Sequence, residues 1–113
     1  MKMNVVDVVV KLDKIGQAVV RRAVTPAEVA ILVAEHHKRA GGVPVTVIEG
    51  TEKEVEISGT GLYNILCARY GAKRTKNIYP SPTVRYPETV NEAIELGMAT
   101  INPSEKLMEY EIN

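Results

Sequence analysis

Several groups of residues in this chain have types and spacings that could do chemistry. His36 and His37 offer a metal ligand or a general base. A metal site needs at least two more donors, and none stands at the i,i+3 or i,i+4 spacing in a useful constellation. Adjacent residues cannot point the same way from a helix. The pair therefore reads as two rim histidines flanking an apolar face, near a helix C-terminus whose dipole favours positive charge. Gly59-Thr60-Gly61 precedes a helical pattern, where backbone N–H groups could cradle a phosphate. The run GTGLYN lacks the third glycine of a dinucleotide fingerprint, and no Lys-Ser/Thr follows it, so a turn leading into a helix is the better reading. A catalytic thiol needs a lowered pKa and a partnered base; Cys67, beside the inward stripe of its helix, reads as core filler.

The strongest local patch is Arg69, Tyr70, Lys73, Arg74, Lys76 and Tyr79. Basic residues interleaved with tyrosine could follow a nucleic-acid backbone and stack bases. Fourteen basic residues balance fourteen acidic ones, so no global field helps to hold a polyanion. Nucleic acid is therefore not the favoured partner. A solvated basic loop meeting an acidic neighbour is favoured instead. Glu49, Glu52, Glu54 and Glu56 could be that neighbour on another copy, as a self-assembling subunit would show. No acidic pair has a recognisable acid/base arrangement. No catalytic residue, cofactor-binding residue or metal ligand is assigned, and no cofactor is expected.

The elements that must position these residues start from Thr25-Pro26-Ala27-Glu28. Thr25 is a helix cap, Pro26 suits the first helical position, and Glu28 completes a capping box. The helix spans residues 26–40 and stops at Gly41-Gly42. Val29, Leu32, Val33 and Ala40 cluster on one side, with Ala30, Ile31 and Ala34 widening the apolar surface. Glu28, Glu35 and Arg39 cluster on the other side, Glu35 and Arg39 at i,i+4.

Before this helix, residues 4–12 alternate as a strand with Val6, Val8, Val10 and Leu12 on one face. A turn at Asp13-Lys14-Ile15-Gly16 returns the chain as a second strand over 17–24, making a hairpin. Residues 43–49 and 53–57, joined at Glu49-Gly50-Thr51-Glu52, read as a second hairpin. Pro44 marks an edge or a strand start. In the second pair Val55 and Ile57 point inward, Glu54 and Glu56 outward. Ser58 or Thr60 caps a helix in which Leu62, Ile65, Leu66 and Arg69 share a stripe, closed by Gly71. Residues 72–86 read as irregular, with a short helical turn around 76–79. Pro87 opens a third helix with Val90, Ala93 and Ile94 inward and Gly97 at its end. Met108, Tyr110 and Ile112 alternate with glutamates in a tail read as a strand or a docking arm.

The expected fold is α+β: two β-hairpins in one small antiparallel sheet, packed against the helix of residues 26–40, with two short helices and an extended C-terminal arm. One domain over residues 1–102 and an arm over 103–113 suit a chain of 113 residues. With five Tyr, no Phe and no Trp, the core is expected to be Val, Ile, Leu and Ala. Such a core is small, which points to self-association or a partner. One cysteine excludes an internal disulfide. No signal peptide is expected, and no apolar stretch approaches the ~20 residues that span a bilayer.

The order of features carries a resemblance. A Val-rich start precedes Thr25-Pro26-Ala27-Glu28, and the helix that follows ends near His36-His37. Two Val-rich strands come next, then a helix closing on Arg69-Tyr70-Gly71, then Tyr79-Pro80 and Pro87-Glu88-Thr89. This resembles small proteins encoded among the head and tail genes of tailed bacteriophages, over most of residues 1–97. The resemblance implies a virion or assembly component made in the host cytoplasm, with homo-oligomeric and other virion partners and no membrane. It carries over no functional residue. The expected function is a non-enzymatic structural or accessory subunit, capsid- or tail-associated. Met108, Tyr110 and Ile112 are its expected contacts, and Lys73, Arg74, Lys76 and Tyr79 a second contact set. The alternative is a nucleic-acid-binding accessory protein using residues 69–79.

Overall fold

The computed structural model describes residues 1–12 and 15–100. The expectations placed on Met108, Tyr110, Ile112 and the rest of residues 103–113 lie outside the described residues. The described elements are β1 (Lys2–Lys11), β2 (Ala18–Val24), α1 (Pro26–Ala40), β3 (Val45–Val47), β4 (Lys53–Glu56), α2 (Gly59–Tyr70), α3 (Ala72–Ile78) and α4 (Val90–Ala99). They form an antiparallel sheet of four strands with four helices, a mixed α+β fold.

β1 is the spine of the sheet. Its alternation buries Val6, Val8 and Val10 beneath α1. On one edge it pairs with β2 as the expected hairpin, from Lys11↔Ala18 to Val6↔Val24. The register slips between Val6 and Val8, where β2 carries an extra residue and Ala23 takes a φ of 53°. The Ala23 N–H donates to Asp7 Oδ1 at 2.9 Å.

The other edge differs from expectation. β3 and β4 do not form a hairpin with each other. Both run antiparallel to β1, β3 against residues 8–10 and β4 against residues 2–5. Ile48 N–H donates to Asp7 O and Ile57 N–H to Met1 O, both at odd-numbered residues, whereas Leu12 N–H donates to Gln17 O on the β2 side. β3 and β4 therefore share one edge, and residues 48–52 loop out of a single interrupted strand. Thr51 holds that loop: its hydroxyl accepts from Asp7 N–H at 2.9 Å and donates to Ile48 O at 2.7 Å. The physical reason is the length of β1, which offers a free edge long enough for both segments. Val55 is consequently exposed rather than inward.

α1 begins as its sequence predicts. Thr25 Oγ1 accepts from Glu28 N–H at 3.4 Å, and Glu28 Oε2 accepts from Thr25 N–H at 2.9 Å. Gly41 ends the helix in the left-handed region at φ 71°. Every residue from Pro26 to Val33 is buried, Glu28 included. Helical angle groups Glu28 with Glu35 and Arg39 away from the apolar cluster, but α1 lies between the sheet and the later helices, so its first half, Glu28 included, has no solvated side. α4 crosses it closely. A Cβ on Gly97 would lie 2.6 Å from Ala30 O and 2.8 Å from Val33 Cβ. Gly97 is thus a close-approach residue within α4 rather than its end, and the helix begins at Val90, capped by Thr89, rather than at Pro87.

Ser58 caps α2, accepting from Gly61 N–H at 2.9 Å. Residues 72–78, read as irregular, are the helix α3. Gly71 at φ 89° redirects the chain, and the Ala72-Lys73-Arg74 run then has good helix formers. The core joins Val, Ile, Leu and Ala with three tyrosines, Tyr63, Tyr79 and Tyr86. It is therefore not purely aliphatic. Tyr79 donates its buried hydroxyl to Ala27 O at 3.0 Å and packs on the Tyr86 ring at 5.0 Å between centroids.

Candidate functional site

Five charged side chains, Arg21, Arg22, Glu35, Arg69 and Arg74, line a groove of about 520 Å³ between β2, α1, α2 and α3. Arg21 and Arg22 come from β2, Arg69 from the end of α2 and Arg74 from α3, with Glu35, His36 and Tyr70 between them. Arg21 stands opposite Val8 across the ladder, which turns it to the α1 side of the sheet.

Two of the four guanidinium groups are fixed from behind. Arg69 Nη1 donates to Glu28 Oε1 at 2.6 Å. The partners are unequal, because the Arg69 side chain is 55% exposed and that of Glu28 only 2%. Glu28 thus ties together the α1 cap and the C-terminal turn of α2. Arg74 Nη1 lies 3.3 Å from Glu35 Oε1, an ion pair whose geometry is not that of a hydrogen bond. Arg21 and Arg22 have no acidic partner among the described residues. The groove therefore holds more positive than negative charge.

His36 forms part of the wall, with Nε2 3.7 Å from Glu35 Oε2. Burial lowers its pKa; Glu35 opposes that shift, while Arg39, Arg21 and Arg74 reinforce it. At His36, burial thus works against the charged form that a helix C-terminus favours. Burial first, then the Glu28 charge, raise the Tyr70 phenol. Both groups line the groove uncharged at neutral pH.

The candidates read from sequence separate into two sets. Lys73, Arg74 and Lys76 are exposed on α3, but only Arg74 reaches the groove. Tyr79 is fully buried and cannot stack a base. Burial forces its phenol pKa upward, as expected of a core hydroxyl bonded to Ala27 O. Gly59-Thr60-Gly61 is not open as a cradle. The Gly61 N–H is taken by Ser58, and a Cβ on Gly59 would sit 3.2 Å from Pro82 O. These glycines allow the cap and the close approach of the 82–86 loop. Arg21 and Arg22 were missed as site residues. Their signal was two arginines inside a Val-rich strand. Among the described residues no three His, Cys, Asp or Glu side chains are placed to hold a metal ion. No described helix is long and apolar enough to cross a membrane. Comparison with protein-family models, curated proteins and solved structures returned no match.

Proposed function

We propose that this chain is a non-enzymatic structural or accessory subunit of a bacteriophage particle, capsid- or tail-associated, acting through self-association and protein–protein contacts. One observation carries the contact half of this reading. The exposed large apolar side chains of the described residues are Met1, Ile15, Val20, Val43 and Val55. Val20 and Val55 lie in strands, Met1 directly precedes β1, Ile15 lies between β1 and β2, and Val43 lies between α1 and β3; none lies in a helix. The helices bury their apolar faces inside the chain, while the sheet layer keeps apolar surface for a partner. The particle setting is supported by the resemblance of the cap and turn motifs to small head and tail gene products. Light scattering over rising protein concentration tests the contact half, with mass growing beyond the 12.4 kDa chain. Detection of the chain in purified particles tests the setting; its absence there refutes it.

The convergence of Arg21, Arg22, Arg69 and Arg74 favours a second reading, a nucleic-acid-binding accessory protein. That reading places the contact in the groove rather than along residues 69–79 as a loop. It predicts affinity that falls steeply with salt. Arg21→Glu/Arg22→Glu would then weaken binding more than Lys73→Glu/Lys76→Glu.

A further inference from the structure

We propose that self-association is head to tail: the β2 edge of one copy, with the arginine groove behind it, receives the acidic β4 edge of a second copy. The inference rests on the self-association reading and adds which surfaces meet. Backbone geometry leaves both edges open. Leu12 turns its N–H to β2, and Val10↔Val19 and Val8↔Arg21 continue that ladder, so the backbone groups of Ala18 and Val20 point away from the sheet. Ile57 and Val55 turn their backbone groups to Met1 and Met3, which leaves those of Glu54 and Glu56 pointing outward. Among the described residues neither edge has another strand partner. Each edge presents two residues at i,i+2 spacing, the repeat needed to add a strand.

Charge selects the partner. β2 contributes Arg21 and Arg22 and no acidic residue, in front of a groove that already holds excess positive charge. Residues 48–57 carry four glutamates, Glu49, Glu52, Glu54 and Glu56, against the single Lys53. Lys2 reaches Glu54 at 3.5 Å and the Met1 ammonium reaches Glu56 Oε1 at 3.3 Å, but these groups are exposed, so water or a new partner replaces both contacts readily. A β2-to-β2 pairing would bring four arginines together, and a β4-to-β4 pairing would crowd glutamates; like charges directly opposite destabilise such a ladder. The mixed pairing removes both conflicts and also covers Val20 and Val55. Because the two surfaces differ, the contact is heterologous and builds a ring or a filament rather than a closed two-fold dimer.

The test is charge reversal on the full chain, read by light scattering and sedimentation. Circular dichroism and urea unfolding first show that each variant keeps its fold; the four positions are exposed. Arg21→Glu/Arg22→Glu should weaken association by roughly tenfold or more, and Glu54→Lys/Glu56→Lys should do the same. Mixing the two variants should restore association, because each then supplies the edge the other has lost. Wild-type chains that associate while both variants associate equally well would overturn this interface yet leave self-association standing. Wild-type chains that stay monomeric, with a mixture that also stays monomeric, would overturn both. Loss of nucleic-acid binding in Arg21→Glu/Arg22→Glu, with no change in mass, would overturn the pairing in favour of a polyanion in the groove.

Discussion

Removing Arg69 should cost more stability than neutralising its partner Glu28, although Arg69 is the more exposed of the two. The carboxylate is nearly dry, at 1% exposure for the whole residue. It holds two contacts, Arg69 at 2.6 Å and the Thr25 N–H at 2.9 Å. In Arg69→Ala the charge stays buried and loses its counter-charge. Breaking a buried pair this way costs about 3–5 kcal/mol. The surviving Thr25 contact and the helix N-terminus, which favours an anion by roughly 1 kcal/mol, reduce this to about 2–3 kcal/mol. In Glu28→Gln the amide can still accept from Thr25, and the half-exposed guanidinium returns to water, so the loss is about 1 kcal/mol. The double variant should be close to Glu28→Gln alone, a coupling of roughly 2–3 kcal/mol. Urea unfolding at neutral pH measures all three, provided the slope with denaturant is unchanged. Arg69→Ala proving no more costly than Glu28→Gln would refute the reasoning, because it would mean the carboxylate finds water that the structure denies it.

Other perturbations follow from the same packing. Gly97→Ala should destabilise by about 1–3 kcal/mol, since the new methyl meets Ala30 O and Val33 within van der Waals radii; thermal unfolding checks it. Tyr79→Phe should cost about 1 kcal/mol in urea unfolding, through the lost hydroxyl contact to Ala27 O, while leaving any nucleic-acid affinity unchanged. Ala23→Gly should be neutral or stabilising by up to about 1 kcal/mol, because φ 53° strains an alanine; the urea midpoint would fall if the bulge instead needs the methyl. His36 has a pKa below its usual 6.5, so the unfolded chain takes up the proton first. Its contribution is therefore complete above pH 6.5 and is lost as pH falls below that value. Comparing urea midpoints at acid and neutral pH should show this dependence reduced in His36→Gln.

Much of the fold was legible because it is local. Thr25 and Glu28 announce α1, and Gly41 ends it, through contacts within one helical turn. The same signal, Thr89 with Glu92 three residues later, marks the start of α4 and was overlooked in favour of Pro87. The β1–β2 hairpin was legible from alternation and a short turn. The choice of β1 over a mutual hairpin by β3 and β4 was not, because it depends on an edge some forty residues away, and local turn chemistry at Gly50 suits either outcome. The burial of Glu28 was not legible from helical angle, since its distant partner Arg69 and the layers around α1 produce it. Of the candidate site, Arg69 and Arg74 were legible as a basic cluster. Arg21 and Arg22 were not, because it takes the tertiary fold to set β2 beside α2 and α3. Tyr79 looked like a stacking residue because a tyrosine's polar tip satisfies either role until its hydroxyl partner is known.

The measurement that tests the central claim most directly is the solution mass of the full chain over a wide concentration range, at low and at high salt. The account predicts mass rising with concentration above 12.4 kDa, and falling back as salt screens the arginine and glutamate edges. A mass that stays at the single-chain value under every condition would contradict it.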